Sequence, residues 1–199
     1  MVNRENRNGT WTKCKYLGSM LETNQDIKHR TILAINAMNN LNKIWESKIN
    51  VDKKMIIFNA FIRSIYTYNS CLWTVTKKLS NKIDATQRKL LRKTLNIKWP
   101  TKISNNELRN LTKQEPWSTF IKRQKIRWLG HALRLPRDTP CRQAIDEVNR
   151  TTLKPRGHPI TTWFSIVKKE LTEKGIDINN IETLAENRNK WRTIVNMFK

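Results

Sequence analysis

Acidic residues are what this sequence has least of. Asp and Glu total 16 against 39 Lys and Arg, giving a formal net charge of +23. Nucleotidyl transfer needs two or three carboxylates converging on a pair of metal ions. Here Asp26, Asp52, Asp84, Asp138, Asp146 and Asp177 are scattered, and no Asp-Asp pair occurs. Glu170 and Glu173 fall together on a helical pattern and read as solvated surface. Glycine is also scarce, at 5 residues, and no glycine-rich phosphate loop exists. Neither a Ser-His-Asp nor a Cys-His arrangement is favoured by spacing, so these residues give the chain no catalytic centre and no metal centre of its own.

Cysteine is limited to Cys14, Cys71 and Cys141. They are far apart, form no C-x-x-C, and have no His29, His131 or His158 at zinc-finger spacing. They read as reduced, mostly buried small apolar residues of an intracellular protein. No long hydrophobic run is present. The most apolar window, "MIIFNAFIRSIYTY", is interrupted by Asn59 and Arg63 and falls short of the roughly 20 apolar residues a bilayer span needs. The opening "MVNRENRNGT" lacks an apolar core and does not read as a secretory signal. No membrane partner is expected.

What is present is positive charge, tryptophan and helical periodicity. A net charge of this size self-repels unless a polyanion is at hand, which makes nucleic acid the expected partner. Basic runs recur at "VTKKLSNK", "TQRKLLRK", "KRQKIR" and "KPRG". A single run is as readily a solvated helix face, but all of them together favour phosphate contact. Of the 8 tryptophans, Trp45, Trp128, Trp163 and Trp191 lie on apolar faces and read as core. Trp73, Trp99 and Trp117 sit near helix ends, where they could stack on bases, although capping the core is the favoured role.

Prolines divide the chain into helical blocks. The first helix is expected from Asn24 to Trp45, with Thr23 and Asp26 as a capping box and Ile27, Thr31, Ala34, Met38, Leu41 and Trp45 on one face. Asp52 is expected to cap a second helix. Its stripe of Met55, Phe58, Ile62 and Ile65 is widened by Ile56, Ile57 and Phe61 until most sides look buried. Ser80 is expected to cap a third helix running to Leu95, and Ser104 with Glu107 forms a capping box for a short fourth. The fifth helix, Trp117 to Leu135, sets Trp117, Ile121, Trp128 and Ala132 on one sector and a row of Arg123, Arg127, His131 and Arg134 on another. A mixed segment follows, then helices at Ile160–Lys174, ended by Gly175, and Ile181–Phe198. The expected fold class is mainly α: a helical bundle with a short N-terminal β strand or hairpin, followed by a second small helical module.

The stretches "KYLGSMLETNQDIKHRTILAINAMNNLNKIW", "FIRSIYTYNSCLWTVTKK", "DATQRKLLRKTLNIKW", "IKRQKIRWLGHALRLP" and "RGHPITTW" resemble, in their order and spacing, LINE-type non-LTR retrotransposon endonuclease–reverse transcriptases. The resemblance runs from about Lys13 to the C-terminus and covers the segment after the polymerase active site. It implies three parts: residues 1–22 as the end of the palm with its primer-grip strand, 23–100 as the thumb bundle, and 101–199 as a basic post-thumb region. Tyr16, Leu17 and Gly18 match the primer grip, which holds the primer's 3′ end, with Lys13 and Lys15 as phosphate neighbours. Lys122, Arg123, Arg127, Arg134, Lys154 and Arg156 are the expected nucleic-acid contacts. The sequence departs from its relatives at "TYNSCLW" and at "RGHP", where His158 replaces a permanent cation by a switchable one.

By this resemblance the chain is the C-terminal part of an RNA-directed DNA polymerase that binds an RNA–DNA or DNA duplex. The family's catalytic aspartates fall upstream of Trp11. The family's Mg²⁺ is therefore bound outside this chain, and no cofactor is expected within it. No synthesis is expected from this polypeptide alone, which reads as a fragment or slice of a longer enzyme whose palm, fingers and endonuclease domains are missing partners. A nuclear location is implied. The rival readings are a stand-alone basic nucleic-acid-binding protein of retrotransposon origin and a scaffold that packs on another protein.

Overall fold

A computed structural model describes residues 14–150 and 161–198, with the backbone alone at 148–150. The architecture is mainly α. A minimal antiparallel hairpin, β1 (Lys15–Tyr16) and β2 (Ser19–Met20), is followed by α1 (Thr23–Asn40), α2 (Asn42–Glu46) and α3 (Val51–Ile57). A π-helical turn, Phe58–Arg63, runs into α4 (Ser64–Tyr66). Then come α5 (Lys77–Thr94), α6 (Asn105–Thr112), α7 (Trp117–Leu133), α8 (Pro140–Arg150), α9 (Trp163–Thr172), α10 (Ile181–Glu186) and α11 (Arg188–Asn196). The chain forms two compact units. One runs up to Asn69 and resumes over Lys78–Trp117; the other joins Ser70–Lys77 to the chain from Ser118 onward.

In the first unit, α1 packs on the π-helical turn and α4, and α3 on α6. Its core holds Met38, Trp45, Phe58, Ile62, Tyr66, Ile83, Leu90 and Trp117. The Tyr66 and Trp117 rings stack at 4.3 Å between centroids. Burial among them pushes the Tyr66 phenol up to about 12. Buried Gln87 fixes the entry to α7: its Oε1 accepts the Trp117 amide at 3.0 Å while its Nε2 donates to the Glu115 carbonyl at 2.7 Å. The Ser104–Glu107 capping box is present in both directions.

Several local expectations are corrected. Glu22, not Thr23, stands at the N-cap of α1 and makes no side-chain cap bond. Asp26 instead accepts the Met20 amide at 2.9 Å, tying the helix to β2. The first helix breaks at Leu41, where the backbone leaves helical dihedrals, and α2 starts afresh. Asn50 caps α3 by accepting the Asp52 amide, so Asp52 is the residue capped and not the cap. The third helix starts at Lys77, one turn before Ser80. Ile56 and Phe61 are exposed, since the π-helical turn widens the step and carries the buried line from Phe58 through Ile62 to Tyr66. The C-terminal helix is two helices, because the Asn187 side chain accepts the Asn189 and Lys190 amides and starts α11 anew. The mixed segment contains α8. Gly175, at φ 74°, ends the helical turn after α9 as expected. Trp73 and Trp117 are buried, whereas Trp99 is 87% exposed.

The second unit closes around one cluster, including Ile126, Leu129, Ala132, Phe164, Val167, Leu171, Trp191 and Val195. A close joint within it lies between Gly130 of α7 and Trp191 of α11. A Cβ at Gly130 would stand 2.0 Å from the Trp191 Nε1, and that same N–H donates to the Ile126 carbonyl at 2.9 Å. At an open helix position, Gly→Ala stabilises by about 1 kcal/mol. Here the sign reverses, because α11 must retreat and the indole loses its partner. Gly130→Ala is expected to destabilise the chain by roughly 3 kcal/mol or more, read by urea denaturation. A neutral or stabilising outcome would remove the joint.

Candidate nucleic-acid interface

The "KYLG" stretch is a hairpin whose two turn residues both have positive φ, Leu17 at 45° and Gly18 at 82°. That pattern matches a tight two-residue turn, for which Asn-Gly is the favoured pair. Glycine takes this conformation freely, but leucine is strained in it. The strain is held in place from outside the turn. Arg30 of α1 donates from Nη2 to the Gly18 carbonyl at 2.6 Å and to Ser19 Oγ at 3.1 Å. The Tyr68 hydroxyl donates to the Leu17 carbonyl at 3.0 Å, and the Arg30 guanidinium lies 4.4 Å from the Tyr68 ring centre. Asp26 pairs with Arg30 at 3.7 Å. With the backbone so gripped, Lys15, Tyr16 and Leu17 all face solvent, Tyr16 at 67% and Leu17 at 75% exposure. A rigid exposed apolar tip on a strained turn has no packing role, which makes it a functional candidate.

A second feature of the first unit escaped the sequence reading. Lys89, Arg92, Lys93 and Lys98 line a cleft of about 390 Å³ together with Asn42 and Glu46. Arg92 is braced by Asn105 Oδ1 at 2.8 Å and the Ile103 carbonyl at 3.3 Å, and Lys93 donates to Asn39. Four cations against one carboxylate suit a phosphate-bearing ligand. The only signal in the sequence was the run "TQRKLLRK"; that α2 joins it required the fold.

The row on α7 divides by environment. Arg127 and His131 are exposed, and Arg123 is half-buried over the Phe120 ring at 5.7 Å. Arg134 is half-buried and donates to the Ala185 carbonyl at 2.9 Å, and burial lowers its pKa, with repulsion from Arg188 adding to this. Lys122 pairs with Glu170 at 3.7 Å. Lys13, Lys154 and Arg156 lie outside the described residues. Among the described residues no group of His, Cys, Asp and Glu is placed to hold a metal ion, and no helix is long and apolar enough to cross a membrane.

No family model matches the chain, and no solved structure matches it. It is similar to an uncharacterized transposon-derived protein of Caenorhabditis elegans, at 25% identity over 165 residues. That alignment takes in 79% of this chain, which spans 57% of the relative's length. The likeness suggests a transposon origin.

Lys125 stands apart from the other cations. It is 1% exposed and its ammonium has no hydrogen-bond partner among the described residues. Burial lowers its pKa; attraction to Glu170 works against this, and repulsion from Lys122 adds to it. Below that lowered pKa the fold carries the full cost of a buried charge. The cost is relieved as pH rises toward the ordinary lysine range near about 10.4, so stability rises with pH across that window. Lys125→Met is expected to raise the melting temperature at neutral pH and to flatten this rise, read by thermal melts at a series of pH values.

At the hairpin, Leu17→Asn is expected to relieve roughly 1 kcal/mol of turn strain. Equilibrium denaturation reads the effect, and a loss of stability would mean that the leucine side chain packs.

Proposed function

We propose that the chain is the primer-grip, thumb and post-thumb portion of a LINE-type retrotransposon reverse transcriptase. In this reading it binds template–primer nucleic acid and contributes no catalytic carboxylate. The observation that carries it is the hairpin tip: a strained Leu17-Gly18 turn locked by Arg30, Asp26 and Tyr68, offering Tyr16 and Leu17 to a ligand beside Lys15. Such a tip can seat a primer terminus between an aromatic ring and a leucine while Lys15 neutralises phosphate. The cleft of Lys89, Arg92, Lys93 and Lys98 supplies further phosphate contacts in the thumb, and exposed Arg127 does so on α7. The transposon-derived relative supports an origin in a mobile element.

The ligand in this reading is an RNA–DNA hybrid, whose A-like shape and 2′-hydroxyls distinguish it from B-form DNA. The remaining polymerase and endonuclease domains are the protein partners, and the parent enzyme binds its Mg²⁺ outside this chain. The site of action is the nucleus, where the target DNA is.

Binding of the purified chain to a labelled hybrid duplex across a salt series tests the proposal. Affinity should fall steeply with salt and exceed that for DNA duplex of the same sequence. Arg127→Ala should reduce the salt slope by about one unit, as should Lys93→Ala. Arg134→Ala should mainly lower stability, since its guanidinium braces Ala185. Equal affinity for every polyanion, with slopes unmoved by these variants, would reduce the row and the cleft to solvated surface.

A further inference from the structure

The second unit carries an apolar cleft that neither its core nor its charged face accounts for. Its volume is about 400 Å³, within the range of small-molecule sites. Leu72, Trp128, Cys141, Ala144, Trp163 and Phe164 line it. The Trp128 and Trp163 rings meet edge to face, with centroids 5.1 Å apart and planes at 83°. The Trp163 N–H donates to the Cys71 carbonyl at 2.7 Å, so that indole is held in place before any ligand arrives. Both tryptophans are only half-buried, and Leu72 is 45% exposed. The aromatic wall is therefore rigid, open and unfilled by the chain's own described residues.

We propose that this cleft takes an unpaired nucleobase of single-stranded nucleic acid, a site separate from the hairpin tip and the basic cleft of the first unit. The inference rests on the nucleic-acid reading above and extends it to the kind of strand bound. Charge selects this occupant. Exposed Arg127 immediately precedes Trp128 in α7, and the Lys168 ammonium lies 4.7 Å from the centre of the Phe164 ring. A base entering the cleft would thus bring its phosphate toward the Lys168 ammonium that stands at the Phe164 wall. An aromatic wall binds bases through their π-faces, which any sequence offers and a duplex hides within its stack. The occupant is accordingly a single-stranded tail or loop next to a duplex.

The experiment compares two labelled hybrid duplexes bound by the full chain. One carries a single-stranded purine tail, and the other carries a tail of the same length built of abasic sites. Stacking of one base accounts for roughly a tenfold or greater difference in affinity. The natural tail should therefore bind at least about tenfold tighter, with an unchanged salt slope because the phosphates are the same. Ala144→Trp, which fills the cleft from an exposed helix position, should abolish the difference.

Cys141 gives a readout that needs no cleft-filling variant. In a Cys14→Ser, Cys71→Ser background, the natural tail should slow alkylation of Cys141 and the abasic tail should not. If both tails bind alike and leave Cys141 equally reactive while salt-dependent hybrid binding persists, the cleft holds no base and only this inference falls. If neither duplex binds, the nucleic-acid reading falls with it. Protection of Cys141 by an acidic peptide but not by the tail would also overturn the proposal, in favour of a protein ligand.

Discussion

The second unit depends on the approach of the Trp191 indole to Gly130. Gly130 has no side chain in the way, which lets an aromatic ring descend to the backbone of α7 and donate to the Ile126 carbonyl. The rest follows from that seating. With α11 down, Ile194, Val195 and Phe198 reach the cluster formed by Ile126, Leu129 and Leu171. With α10 leading into it, Ala185 presents its carbonyl to Arg134, and Glu182 reaches Arg142 and Arg137. Buried Arg142 also donates to the Leu133 carbonyl at 2.7 Å and pairs with Asp146, so one guanidinium gathers α8, α10 and the end of α7. A lysine could not replace it, because the clamp uses the separate nitrogens of a planar fork.

The shortage of acids shapes how charge is used. Asp26, Asp146, Glu170 and Glu182 each meet a cation within the fold, and Glu107 closes a capping box, which lowers its pKa through the Ser104 amide and hydroxyl. Carboxylates in this chain therefore act as staples. The cations divide into two populations. Arg30, Lys54, Arg134 and Arg142 donate to backbone carbonyls of the chain's own turns and helix ends. Lys15, Arg127, Lys89 and Lys98 are exposed, and Arg92 and Lys93 line the basic cleft beside the last two. Net charge alone does not distinguish these groups, and only the second is suited to hold phosphate.

How much of this was legible in the sequence depended on the range of the interaction involved. Helix faces such as Ile27, Ala34 and Met38 follow from periodicity, and the Ser104–Glu107 box and the Gly175 stop are local motifs that need no tertiary knowledge. Asp26 was misread because a short acid three residues after Thr23 looks like a cap, whereas a strand six residues upstream claims it. Asn50 and Asp52 were exchanged because either can cap, and only the backbone decides which amide points where. The Tyr16, Leu17 and Gly18 hairpin was legible as a turn, but its restraint by Arg30 and Tyr68 was not, as those residues lie 12 and 51 positions away from the atoms they hold. Nothing local marks Gly130 as a notch, since its partner lies 61 positions on, and a glycine inside a helical pattern reads first as a weak point. The basic cleft was hidden for the same reason: its walls come from α2 and the end of α5.

The structure also shows why so charged a chain folds, and under what conditions it does so least readily. The outward cations repel one another over a screening length of roughly 10 Å at moderate salt. That repulsion opposes compaction, while the buried Asp26–Arg30 pair and the Trp191–Gly130 joint lie beneath the surface and are screened far less. Added salt therefore weakens the opposing term more than the supporting ones. A bound polyanion does the same and adds its own binding free energy to the folded state alone. Leu17, held in a left-handed turn, and Lys125, buried with no hydrogen-bond partner among the described residues, both lower the stability of the free chain. A fold that tolerates those costs together with a net charge of +23 gains stability whenever its outward cations are neutralised, by salt or by a polyanion.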